Sequence, residues 1–117
     1  MSDLTIKKIE QSIQDRKQLY LQFPENVKSY KPLLQIQEQA FKDGALDKKT
    51  KELMALSISI VTKCEPCMEW HLNQALHDGA TDKEIFETID VAIDMGGGPA
   101  AAYARFALKA LEHFRAQ

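Results

Sequence analysis

Apolar residues recur along this chain with a helical period. Leu4, Ile6, Ile9, Ile13 and Leu19 fall roughly on one face, which predicts a first helix ending near Pro24. Residues 25–43 predict a second, with Pro32 near its start, Leu33, Leu34, Ile36, Ala40 and Phe41 facing inward, and Gly44 as its stop. Asp47 is placed as the next N-cap. The stretch from Glu52 to Val61 is apolar on nearly every side, as suits a central helix surrounded by others. A strand is the alternative there, because Ser57 to Val61 alternate and are rich in branched side chains. Cys64 to His77 predicts a fourth helix that tolerates Pro66 in its first turn and closes at Gly79. Thr81 and Glu84 have capping-box spacing, so a fifth helix starts there and runs to about Met95. Gly96-Gly97-Gly98-Pro99 breaks it, and Ala100 to Phe114 forms a sixth whose early alanines, 100, 101, 102 and 104, would let another helix approach closely. The expected fold class is all-α, a bundle of about six helices.

Length and composition narrow this further. The 117 residues make one domain, spanning 1–117, with 44% apolar and 27% charged residues, the balance of an ordinary globule. A formal charge of −2 gives no basic field for a nucleic acid or an anionic membrane. Met1 to Tyr20 carry frequent charges and no apolar segment, so neither a secretory signal nor a membrane span is expected and a cytoplasmic location is. The glycine triplet follows no strand and precedes no Lys-Ser or Lys-Thr, which argues against a phosphate loop. Asp43 to Lys48 recurs in similar form as Asp78 to Lys83, read as repeated punctuation between helices rather than as a solenoid.

The chemistry concentrates at Cys64-Glu65-Pro66-Cys67 and His71. A loop closed by so short a separation stabilises little, so the pair is not scaffolding. On a helix, Cys64, Cys67 and His71 share one stripe. A thiol at a helix N-terminus is acidified by unpaired amides, and a protonated imidazole nearby adds to this. Two such thiols can cycle, one becoming a sulfenic acid and the other condensing with it to a disulfide. Glu52 is the remaining candidate. Its default place is a surface first turn favoured by the helix dipole, but facing His71 it would orient the ring as the third member of a relay.

Plainer explanations stand beside this one. The cysteines and His71 could hold zinc, with Glu52, His77 or His113 completing four donors. Both cysteines could be inert and buried. His77 fits a helix C-terminus and His113 a favourable cation in a last turn.

Glu52, eleven residues, Cys64-X-X-Cys67, three residues and His71 together resemble the signature of the AhpD-like alkylhydroperoxidase branch of the carboxymuconolactone decarboxylase family. The flanks Glu52 to Val61, Ala75 to Glu84 and the Gly96-Gly97-Gly98-Pro99-Ala100 break look similar too, over about residues 25–110. The resemblance implies an AhpD-like bundle around a central helical hairpin, a homo-oligomer of trimer or hexamer form, and a dithiol antioxidant enzyme of peroxiredoxin-type activity. It needs no metal, flavin or haem cofactor. It implies Cys67 as the thiolate that attacks a small hydroperoxide, Cys64 as the resolving partner, and Glu52 with His71 as the proton relay. A thiol or dihydrolipoyl-type reductant, or a partner peroxidase, would exchange electrons with it; no nucleic acid or membrane partner is expected. Pro66 stands where the AhpD pattern has a second histidine, which shortens the relay. It matches instead the thioredoxin-like Cys-X-Pro-Cys pattern, in which the first cysteine attacks, so Cys64 stays open as the nucleophile. Two other functions remain as alternatives: decarboxylation of a muconolactone-like acid, for which Arg105 and a few lysines are the cations at hand, and a non-enzymatic zinc-bound or redox-responsive helical module.

Overall fold

The computed structural model describes residues 4–20 and 22–117. Its elements are α1 (Leu4–Leu19), α2 (Phe23–Asn26), α3 (Tyr30–Ala40), α4 (Lys48–Val61), α5 (Glu65–His77) and α6 (Asp82–Arg115), with no strand among the described residues. The alternating segment at Ser57 to Val61 is therefore helical. Its Ser59 hydroxyl donates to the Ala55 carbonyl at 2.6 Å, a bond within the helix that lets a polar residue sit inside.

The centre is an antiparallel hairpin of α4 and α5, with α6 packed on both. Asp47 caps α4, its carboxylate accepting the Thr50 amide at 2.8 Å. At the other end the Cys64 amide donates to Ser59 O (2.9 Å) and the Lys63 amide to Ile60 O (3.2 Å). That pair of bonds closes a Schellman turn, with Lys63 in the left-handed position at φ 62°. The turn is short enough that Cys64 leaves α4 and immediately caps α5. The same motif ends α5: Gly79 takes φ 93° and the Ala80 amide donates to Ala75 O at 2.9 Å. The capping box of α6 is complete, with Thr81 and Glu84 bonded in both directions at 3.1 and 2.9 Å.

Leu56 and Ile60 of α4, Met68, Leu72 and Ala75 of α5, and Ile85, Ile89 and Ala92 of α6 form the core, to which Ile9 of α1 is added. The break expected at Gly96 to Pro99 is a bend inside α6, so the fifth and sixth helices are one interrupted element. Gly97 makes the bend at φ 69°, ψ −152°, a conformation essentially confined to glycine. Gly96 has no room for a side chain, since a Cβ would lie 2.7 Å from that of Ala100 and 3.4 Å from Val61 Cγ2. Beyond the bend, Ala100 and Ala104 are buried as close-approach positions, whereas Ala101 and Ala102 face outward.

Three expectations are corrected. The second helix is split: Val27 is extended after the one-turn α2, and α3 starts at Tyr30. No residue of α3 is buried; Leu33, Ile36 and Ala40 are exposed, whereas Tyr30, Leu34 and the C-cap Phe41 are partly covered, and α3 adds nothing to the core cluster. Finally, α4 is not enclosed, since Met54 and Ile58 are exposed and Val61 partly so, and Val91 and Met95 of α6 are exposed as well. No helix among the described residues is long and apolar enough to cross a membrane.

Candidate active site

Capping places the first site residue. Cys64 is the N-cap of α5, and its sulfur accepts the Cys67 amide at 3.3 Å. One turn of helix from a cap to its third residue brings the two α-carbons to 5.2 Å, and the sulfurs are joined in a disulfide. Pro66 occupies the second helical position, where its missing amide hydrogen costs no bond. The next turn carries His71 on the same side of α5.

Glu52 meets His71 across the hairpin. Because α4 starts at Lys48, Glu52 is a full turn inside the helix and only 3% exposed, not in the surface first turn that is its default. Its Oε1 lies 2.7 Å from His71 Nδ1. With Nδ1 as the donor to the carboxylate, Nε2 is the nitrogen left to exchange a proton. Glu52 Oε2 is bonded as well, accepting from Lys48 Nζ at 3.1 Å. Lys48 reaches on to Asp78 Oδ2 at 2.9 Å and Gln74 Oε1 at 3.3 Å. Burial pushes Lys48 down, but its bonds to Asp78 and Glu52 together hold it above the ordinary lysine range. A buried carboxylate is costly when unpaired, and here each oxygen has a partner. One face of the ring lies against Phe41, stacked at 5.3 Å between centroids with planes 21° apart.

His71 and Cys67 open onto one cavity of about 930 Å³, walled by Ile13, Tyr20, Tyr30, Leu34, Trp70 and Phe114 among others. Cys64 is not among its lining residues, so the structure turns Cys67, of the two cysteines, toward this space. A second cavity of about 650 Å³ lies on the other side of Arg16 and Pro66. Glu69, fully buried, borders it and accepts from Ser12 at 3.2 Å and from the Arg16 guanidinium, while its Oε2 has no partner among the described residues. Burial pushes the Glu69 carboxyl above its ordinary value, against the pull of Arg16 and Ser12. Arg16 also lies over the Trp70 ring at 4.5 Å.

The structure thus brings Glu52, His71 and the two cysteines to one end of the hairpin. His77 ends α5 and shares the cavity wall, and His113 sits in the last turn of α6, bonded to Gln117 at 2.9 Å. Arg105 opens onto a different depression, beside Tyr103 and Lys109. Among the described residues no group of three His, Cys, Asp or Glu side chains is placed to hold a metal ion. Lys48, Arg16 and Glu69 are not site candidates in the sequence, and Phe41 stands there only as an inward-facing position. Lys48 carries one signal, its i,i+4 spacing to Glu52; nothing local signals the contact of Phe41 with His71, thirty positions on.

A model of the carboxymuconolactone decarboxylase family matches residues 28–110. Among curated relatives, the "uncharacterized protein 4 in cox locus" of Paracoccus denitrificans is 44% identical over 79 residues, covering 68% of this chain and 71% of that one. The alkyl hydroperoxide reductase AhpD of Corynebacterium aurimucosum is 40% identical over 47 residues, 40% of this chain and 27% of the relative. Among solved structures, a carboxymuconolactone decarboxylase family protein from Legionella pneumophila superposes with a TM-score of 0.85 at 35% identity, over 92% of this chain and 96% of the other. Another, from Thermotoga maritima and described as a candidate participant in the antioxidative response, gives 0.82 at 33% identity over 90% of each. Fold, motif and similarity agree that the chain belongs to the carboxymuconolactone decarboxylase family.

Proposed function

We propose that the protein is a thiol-dependent hydroperoxide reductase. The observation that carries this reading is the 2.7 Å contact of Glu52 with His71, whose ring shares a cavity with Cys67 of the disulfide pair. In the dithiol state, His71 Nε2 takes the Cys67 thiol proton, and Glu52 stabilises the imidazolium through Nδ1–H. The thiolate attacks the terminal oxygen of a hydroperoxide. An S–O bond forms, the O–O bond breaks, and the alkoxide leaves with the proton from His71. Cys64, deprotonated, then displaces hydroxide from the Cys67 sulfenic acid, giving the disulfide and water. A dithiol reductant returns two electrons and two protons by exchange with that disulfide. The position of Cys67 on the cavity wall favours it as the attacking sulfur, and the partial similarity to AhpD proteins supports the reaction class.

Thiol titration tests this. The reduced protein should show two thiols per chain, and one equivalent of hydroperoxide should consume both; Cys67→Ser should abolish turnover, whereas Cys64→Ser should stop at a sulfenic acid. Two thiols persisting after peroxide would overturn the reading. The same reading includes self-association through the exposed apolar residues of α4 and α6, in a trimer or hexamer.

A further inference from the structure

The cavity beside Cys67 is uneven in charge. The chain has seventeen acidic and fifteen basic residues, counting histidine as neutral, yet this wall carries Arg16 and Lys17, both from α1, and, among the described residues, no aspartate or glutamate. The remaining surface is largely aromatic and aliphatic, with Tyr20, Tyr30, Leu34 and Trp70 prominent. The Arg16 guanidinium is pre-set in direction: Nη1 is on Glu69, which borders the neighbouring cavity rather than this one, and the planar group lies over Trp70. A guanidinium held in this way keeps further N–H donors for a second acceptor and loses little freedom on binding one. Lys17, the next residue of α1, adds a point charge to the same wall.

A pocket with an apolar body and cations on one side is complementary to a ligand with an apolar chain and an anionic end. We propose that this cavity selects monocarboxylates with an alkyl chain, Lys17 and Arg16 being the residues that determine specificity. Resting on the chemistry proposed above, this makes the hydroperoxide substrate one that carries a carboxylate, in preference to its neutral counterpart. The carboxylate is taken at the α1 side of the cavity, and the chain lies along the aromatic wall toward Cys67.

Binding of non-peroxide probes tests the selection apart from the thiol chemistry. The chain has a single tryptophan, Trp70, and it lines the cavity, so its fluorescence reports occupancy. Octanoate should bind about tenfold more tightly than octan-1-ol at low salt, with the advantage shrinking as ionic strength rises. Lys17→Gln should reduce the acid preference, Lys17→Glu should abolish it, and Lys17→Arg should retain it. Lys17 is exposed, so these variants leave the core untouched. Equal affinity for acid and alcohol, no response of Trp70 to either, or a preference unchanged by Lys17→Glu would each overturn the proposal. Octanoate selectivity without peroxide consumption would sink the peroxidase reading alone. Equal turnover of an acid hydroperoxide and its methyl ester would sink the selectivity alone.

Discussion

Glu52 Oε1 and His71 Nδ1 are 2.7 Å apart, although nineteen positions separate them in the chain. The contact exists because the turn between α4 and α5 is so tight that the two helices run back along each other. It fixes which ring nitrogen faces the carboxylate, and so which one remains for the reaction.

Replacing Glu52 by Gln removes the charge that stabilises a protonated His71 and keeps the side chain's shape. Turnover of hydroperoxide, measured as kcat/KM near neutral pH, should fall about 100-fold, within the range typical of general acid–base catalysis. The stoichiometric reaction of the two thiols at high pH should survive, because hydroxide can then replace the relay.

Gly97 is the hinge of α6. A Cβ there would meet nothing within 4 Å, so the cost of Gly97→Ala is confined to the backbone. At φ 69°, ψ −152° that cost should be about 1–3 kcal/mol, read as a lower denaturant midpoint with an unchanged m-value. No loss of stability would show that the bend adjusts without the glycine.

Glu69 gives stability a pH dependence of unusual sign. Its folded carboxyl titrates above the ordinary value of 4.5, so the folded state holds this proton more firmly than the unfolded chain does. Its contribution is therefore most favourable below 4.5 and is lost as pH rises through the raised value. Glu69→Gln cannot ionise, so the Tm of the wild type relative to this variant should decline on going from pH 4 toward neutrality. A difference that grows instead would show that the Arg16 pair outweighs burial.

Met54 and Ile58 on α4, with Val91 and Met95 on α6, leave an apolar surface on the single chain; Met95 is 73% exposed. Sedimentation should show a species heavier than the 13.3 kDa chain, and Ile58→Glu with Met95→Glu should return it to monomer. A wild type that sediments at the chain mass contradicts self-association.

How much of this was legible in the sequence depends on the range of the interaction. Asp47, Thr81, Glu84 and Gly79 act within one turn of a helix end, and such capping reads directly from residue type and spacing. The stripe of Cys64, Cys67 and His71 is local in the same way. Asp47 as the cap already carries Glu52 past the first turn of α4, but its burial depends on His71, nineteen positions on, meeting it across the hairpin. The periodicity of Leu33, Leu34 and Ile36 matches a core face, yet among the described residues only Leu34 of the three is partly covered, and it borders the cavity beside Cys67 rather than the core. Arg16 and Glu69 meet from opposite ends of a 53-residue separation, and no local pattern signals that.

A sulfur atom caps α5, which links the end of a helix to an oxidation state. In the disulfide, Cys64 Sγ is a poor acceptor for the Cys67 amide 3.3 Å away. As a thiolate it becomes an anion at the positive end of the helix macrodipole, and the same N–H then points at full negative charge. Reduction also opens the covalent link between the cap and the third helical residue, so charge and crosslink act on the first turn in opposite senses. The redox couple and the fraying of α5 share one thermodynamic cycle, and deuterium uptake at the Cys67 amide in the two oxidation states reads the difference between them.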